Sequence, residues 1–189
     1  MKLDIILAGV GGQGILSIST IIGEAAVRKG LYLKQAEVHG MSQRGGEVQS
    51  HLRISDKPIH SDLIQKGKAH LIISVEPLES LRYLSYLNPD GWLITNTNPF
   101  INIPNYPDIK QVLDEISLIP NHVKLDADKI AKDLGSALTM NMVMLGAASK
   151  FLTIDYEALE DAIKSIFSSK GENVVKMNLE ALKAGRNAS

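Results

Sequence analysis

The chain has 189 residues, of which 44% are hydrophobic and 22% charged, with twenty Lys and Arg against twenty-one Asp and Glu for a net charge of −1. A balance so close to neutral lacks the basic excess that a nucleic-acid surface needs, and a chain with no cysteine forms neither disulfides nor cysteine-ligated iron–sulfur clusters. The length fits one domain, read here as residues 1–189, burying roughly 70% of its unfolded surface; there is no low-complexity tract or internal repeat.

Lys2 precedes an apolar run from Ile5 to Val10 that resembles the start of a secretory leader. Asp4 and the glycines from Gly9 argue against that, and the run is too short to cross a bilayer. The expectation is a buried first strand in a cytoplasmic protein that makes no membrane contact. A helix follows: Ile15, Ile18, Ile22, Ala25 and Ala26 recur at helical spacing, and Arg28, Lys29 and Gly30 suit its carboxyl end. Residues 31–37 read as a second strand, and the polar stretch from His39 to Glu47 reads as a functional loop rich in glycine.

Val48, Ser50, Leu52 and Ile54 alternate with Gln49, His51, Arg53 and Ser55, the period of a half-buried strand. Asp56-Lys57-Pro58 predicts a turn into a short antiparallel return through Ile59 and His60, which would make the sheet mixed. His70 to Val75 is another buried strand. Pro77 suits the first turn of a helix running through Leu87, and Asn88-Pro89-Asp90-Gly91 predicts a turn before a strand at 92–95. Beyond the Pro- and Asn-rich loop 98–107, a helix over 108–117 and a last strand over 122–125 are expected, and the rest is mostly helical. Within it, 137–151 is apolar, 155–168 amphipathic, and 172–184 closes the chain. Alternating strands and helices predict a three-layer α/β/α sandwich with a mostly parallel, mixed sheet and a helical carboxyl-terminal part.

Two constellations carry chemistry. Gly9-Val10-Gly11-Gly12-Gln13-Gly14 is a GxGxxG pattern between a strand and a helix, where glycines let the backbone approach a phosphate at the positive end of the helix dipole. Glu37, 23 residues beyond Gly14, stands roughly where a dinucleotide-binding domain keeps its ribose acid, so a free-standing NAD(P)-binding oxidoreductase is one reading and close packing with no ligand another. The second constellation runs from Glu37 to Glu47, where Arg44 beside Gly45 and Gly46 offers a planar fork to a carboxylate or phosphate, or pairs with Glu37, Glu47 or a subunit surface. The five histidines lack the spacing of a metal site and no serine sits in a GxSxG elbow. Met140, Met142 and Met144 read as packing, and Asn141 among them as a cap that needs a partner.

Ile6 to Gly14, followed by Ser42-Gln43-Arg44-Gly45-Gly46, Leu52-Arg53-Ile54-Ser55 and the later Asn141-Met142-Val143-Met144-Leu145-Gly146-Ala147, resemble the gamma-type domain of the 2-oxoacid:ferredoxin oxidoreductases, a Rossmann-like fold. The likeness extends through Lys176, Asn178, Ala181 and Gly185, and Val38-His39-Gly40-Met41-Ser42 is most similar to the beta subunits of the indolepyruvate enzymes. The resemblance implies a small accessory subunit of a complex that decarboxylates an aryl pyruvate on thiamine diphosphate, makes an acyl-coenzyme A, and reduces ferredoxin. It also implies a large alpha subunit holding thiamine diphosphate, Mg and 4Fe-4S clusters, with coenzyme A as co-substrate, and leaves room for a homodimer; the alternative readings are the free-standing NAD(P)-binding oxidoreductase and a ligand-free scaffold subunit. On that basis Gly11, Gly12, Gln13 and Gly14 are expected to cradle a ligand at a shared cleft, with Ser42 and Arg44 near coenzyme A or the substrate carboxylate.

Overall fold

Strand β1 (Lys2–Val10) lies in the middle of a six-stranded sheet of order β2-β3-β1-β4-β5-β6, in a computed structural model that describes residues 1–39, 45–101 and 103–189. Its side chains alternate between two cores, Leu3, Ile5 and Leu7 facing one and Ile6 and Ala8 the other, which is why the run reads as continuously apolar. Helix α1 (Ile15–Arg28) buries Ile18, Ile22, Ala25 and Ala26 on the first face. It stops where Gly30, at φ +72°, lets the amides of Lys29 and Gly30 reach the carbonyls of Ala26 and Val27.

Strand β2 (Tyr32–His39) forms the edge, and β3 (Glu47–Ser55) lies between it and β1, antiparallel to both. Strands β4 (Ala69–Ser74), β5 (Leu87–Asn96) and β6 (His122–Leu125) continue parallel to β1, so the sheet is mixed with a single reversed strand. Helices α2 (Pro77–Arg82) and α3 (Ile109–Ser117) cover one face. The other face carries α1 with α4 (Ala127–Asp133), α5 (Met140–Ala148), α6 (Tyr156–Phe167) and α7 (Glu172–Ala188), completing three layers.

Five local expectations are corrected. Strand β3 is covered on both faces: His51 is only 3% exposed, its Nδ1 accepts the amide of Ile64 at 3.0 Å, and Tyr86 stands edge-on to its ring at 5.3 Å. The return through Ile59 and His60 is not a strand, because Arg53 instead donates to the carbonyls of Ser61 and Leu63, at 2.8 and 3.1 Å, and holds the segment as coil. The helix from Pro77 ends at Arg82, and a 3-10 turn over Leu84–Tyr86 leads into β5. The turn predicted at Asn88–Gly91 lies inside β5 as a bulge: Leu87 opposes Ala69, Trp92 opposes Leu71, and the Asp90 amide bonds Asn88 Oδ1 at 2.9 Å. The apolar segment from 137 likewise divides into a 3-10 turn, Ala137–Thr139, and the buried helix α5.

Helices α5 and α7 touch backbone to backbone. A Cβ on Gly146 would stand 2.0 Å from the Leu182 carbonyl oxygen, and one on Gly185 1.9 Å from that of Val143. Only glycine fits at either position.

Candidate functional site

The chain turns to opposite sides after β1 and β4, which makes the carboxyl ends of these neighbouring strands the topological switch point where open α/β sheets collect ligands. The glycine turn occupies that point. Gly9 has to be glycine because a Cβ would lie 2.3 Å from Val75 Cγ2 and 2.8 Å from Ile15 Cδ1. Gly12 and Gly14 take φ of +102° and +79°, conformations that strain any other residue. The Gly11 amide donates to the Gly46 carbonyl at 2.9 Å, joining the turn to the strand-entry limb of β3.

Gln13 braces this crevice. Its Oε1 accepts the Val10 amide at 2.8 Å and its Nε2 donates to the Val75 carbonyl at 3.4 Å, so the side chain ties the end of β1 to the end of β4. Asn141, at the start of α5, donates to the Gly14 carbonyl at 3.2 Å and fixes the other side of the turn. It is the partner that Asn141 was expected to need.

A cavity of about 330 Å³ opens on the turn, lined by Val10, Gly11, Gly12, Gly14, Ile15, Leu16, Glu37 and Val48. Larger concavities exist, about 470 Å³ between α6 and α7 and about 690 Å³ at the amino edge beside Lys2, Asp4 and Arg53. The smaller one is the better candidate because it alone among them combines the glycine turn with the carboxyl ends of the strands. The first amides of α1, Ile15 and Leu16, have no acceptor within the helix, and Glu37 adds a carboxylate from β2. Backbone donors, one acid and the apolar walls of Ile15, Leu16 and Val48 suit a ligand with both polar and apolar parts.

Of the expected site residues, the structure brings Gly11, Gly12 and Gly14 to this cavity and places Gln13 behind them as a brace; Ser42 and Arg44 lie outside the described residues. Glu37 does reach the cavity, yet β3 stands between β1 and β2, so the acid sits two strand spacings, roughly 10 Å, from β1 rather than on the adjacent strand of a dinucleotide fold.

A group of side chains beside the turn escaped the reading of the sequence. Glu76 is buried, caps α2 by accepting the Glu79 amide at 2.8 Å, and also accepts the Tyr106 hydroxyl and, at 3.3 Å, the Phe100 amide. Asn96, at the end of β5, donates to the Val75 carbonyl at 3.2 Å and to Asp128 at 2.7 Å, and accepts the Ala127 amide at 3.0 Å. The signal for Glu76 was Glu-Pro followed by Glu79 at the third helical position, an acidic capping pattern. Burial pushes the Tyr106 hydroxyl well above its ordinary range, and the bond to Glu76 pushes it further. Among the described residues no group of three or more His, Cys, Asp and Glu is placed to hold a metal ion.

Comparison with known proteins gives this geometry a family. The model of the pyruvate ferredoxin/flavodoxin oxidoreductase family matches residues 4–188. The chain belongs to that family. It is 39% identical to indolepyruvate oxidoreductase subunit IorB of Archaeoglobus fulgidus, across 99% of this chain and 95% of that protein. It is also 32% identical to the pyruvate/ketoisovalerate oxidoreductases common subunit gamma of Pyrococcus abyssi, across 95% of each. The chain is therefore a small accessory subunit of a 2-oxoacid:ferredoxin oxidoreductase. Among solved structures, 2-oxoglutarate:ferredoxin oxidoreductase from Magnetococcus marinus, with 2-oxoglutarate, coenzyme A and succinyl-CoA bound, superimposes with a TM-score of 0.79 at 25% identity. The match covers 99% of this chain but 31% of that one, so there the fold is one part of a longer polypeptide. No helix among the described residues is long and apolar enough to cross a membrane.

Proposed function

We propose that this chain is the beta subunit of a cytoplasmic indolepyruvate:ferredoxin oxidoreductase that converts an aryl pyruvate and coenzyme A to the aryl acyl-coenzyme A and carbon dioxide, passing the two electrons released to ferredoxin. The observation that carries the reading is likeness across the whole chain to four subunits of that name, at 33–39% identity, against 28–32% for the subunits named for other oxoacids. Matching residues 4–188 to one family model supports reading 1–189 as a single gamma-type domain.

The residues present do not fit the thiamine diphosphate and iron–sulfur groups that such a complex uses. Without cysteine the chain has no thiolate for a 4Fe-4S cluster, and among its described residues no acidic group is gathered for the Mg of thiamine diphosphate. Both groups are assigned to a large alpha subunit, through which ferredoxin is also reduced. This chain contributes a wall of the shared cleft: the glycine turn and its cavity, with Ser42 and Arg44 assigned to the coenzyme A or the oxoacid carboxylate.

The test is co-expression with the large subunit and anaerobic assay of coenzyme A-dependent viologen reduction. Higher kcat/KM on indolepyruvate and phenylpyruvate than on pyruvate or 2-oxoglutarate is expected; preference for either of the last two would overturn the substrate assignment.

A further inference from the structure

Glu47 opens β3 opposite Val10 of β1, directly after the residue whose carbonyl receives the Gly11 amide. Its carboxylate is 3.3 Å from Arg82 Nη1, and Arg82 Nε is 2.9 Å from the carboxylate of Glu79, a buried group on the same short helix. The guanidinium is thus divided between a fixed acid on α2 and a half-exposed acid on β3.

The fixed end is well anchored. Helix α2 starts at the buried cap Glu76, which also holds the Phe100 amide and the Tyr106 hydroxyl, so its position is set from both sides. Burial pushes the Glu79 carboxyl above its ordinary value, and its hydrogen bond to Arg82 opposes that shift. A planar fork held through Nε presents Nη1 in one direction, which a flexible ammonium would not do.

We propose that Arg82 is a positioning residue for the glycine turn: held by Glu79, it pins Glu47 and so sets the Gly46–Glu47 limb against Gly11. The bridge to Glu47 is half exposed, so its effect is modest, about three- to five-fold. The account assigns Arg82 no contact with ligand. Its influence passes through Glu47, Gly46 and the Gly11 amide to the cavity wall formed by Gly11 and Gly12.

Two measurements on the Arg82→Met, Arg82→Lys, Glu47→Gln and Arg82→Met/Glu47→Gln chains test this. The first is amide hydrogen exchange of the full chain, which does not depend on any functional assignment. Exchange over residues 9–14 should quicken about three- to five-fold in Arg82→Met and Glu47→Gln, no further in the double variant, and return part-way in Arg82→Lys, with β4 unchanged. Unchanged exchange at 9–14, or quickening throughout the sheet, overturns the proposal. The second rests on the oxidoreductase reading: in the assembled enzyme Arg82→Met should raise the KM for coenzyme A or oxoacid by a similar factor while kcat changes less. A wild-type complex inactive on every oxoacid would sink that reading and leave the exchange result to decide the role of Arg82.

Discussion

Asn141 and Gly14, 127 residues apart in sequence, meet through a 3.2 Å hydrogen bond from the Asn141 side-chain amide to the Gly14 carbonyl. The same carbonyl accepts the Ser17 and Ile18 amides at the start of α1, so one oxygen joins the glycine turn, the first helix and α5. The contact is so close that a Cβ on Gly14 would stand 2.4 Å from Asn141 Nδ2. Gly14→Ala therefore combines a clash with a left-handed φ of +79° and should cost about 2–4 kcal/mol in urea unfolding. Asn141→Ala alone should cost about 1 kcal/mol. The double variant should recover part of the Gly14→Ala loss, because the clash is removed and the strain is not. Strict additivity would contradict this packing.

The crossing of α5 and α7 predicts a ranking among glycines. Gly146→Ala and Gly185→Ala each drive a methyl group into a backbone carbonyl, and each should cost about 3 kcal/mol or more and leave the chain poorly folded. Gly67→Ala meets open space and only carries the strain of φ +72°, worth about 1 kcal/mol. Thermal unfolding of the three variants checks the order.

Strand β3 carries a pH-dependent element. Burial, and secondarily the charge of Arg53, hold the His51 imidazole below its ordinary pKa of 6.5, so the folded chain keeps it neutral where the unfolded chain takes up a proton. Stability from this group is present above pH 6.5 and falls as the pH drops below it. In urea titrations between pH 7.5 and 5, His51→Asn should show a flatter loss of stability than wild type. An equal or steeper slope would contradict the assignment.

Asp4 is buried in β1, and its carboxylate is held at 2.8 Å by Arg53 Nε and at 2.9 Å by Lys2. Burial raises its pKa, but the hydrogen bonds and charges of Arg53 and Lys2 together outweigh burial and leave the acid below its usual range. Arg53→Met leaves the buried Asp4 carboxylate with only the exposed Lys2 as its charged partner and should cost about 2–4 kcal/mol, and Asp4→Asn/Arg53→Met distinctly less. Equilibrium unfolding of both variants at neutral pH measures the difference.

The layers and the glycine turn were legible because their signals are local: alternating apolar runs, helical periodicity, and glycines between a strand and a helix. The mixed sheet was expected from a return through Ile59 and His60 that does not form, and it arises instead from the reversal of β3. Asp4 was legible only as an argument against a secretory leader; its partner Arg53 is 49 residues away, and no local pattern announces a buried ion pair. The alternation in β3 suggested one wet face, but Ile64 and Tyr86 arrive from later in the chain to cover it. Turn chemistry at Asn88–Gly91 was read correctly, yet pairing with β4 absorbed it as a bulge. At the candidate site, the glycine pattern pointed to Gly11, Gly12 and Gly14, which line the cavity, whereas the bracing geometry of Gln13 and the Glu79–Arg82–Glu47 chain depends on strands that meet only in the folded sheet.

The most direct test of the central claim is anaerobic reconstitution of the large subunit with and without this full-length chain, followed by coenzyme A-dependent viologen reduction on indolepyruvate. The account predicts that the two proteins co-purify and that turnover requires both. A large subunit equally active alone, or a chain that stays apart from it and binds a nicotinamide dinucleotide tightly, would contradict it.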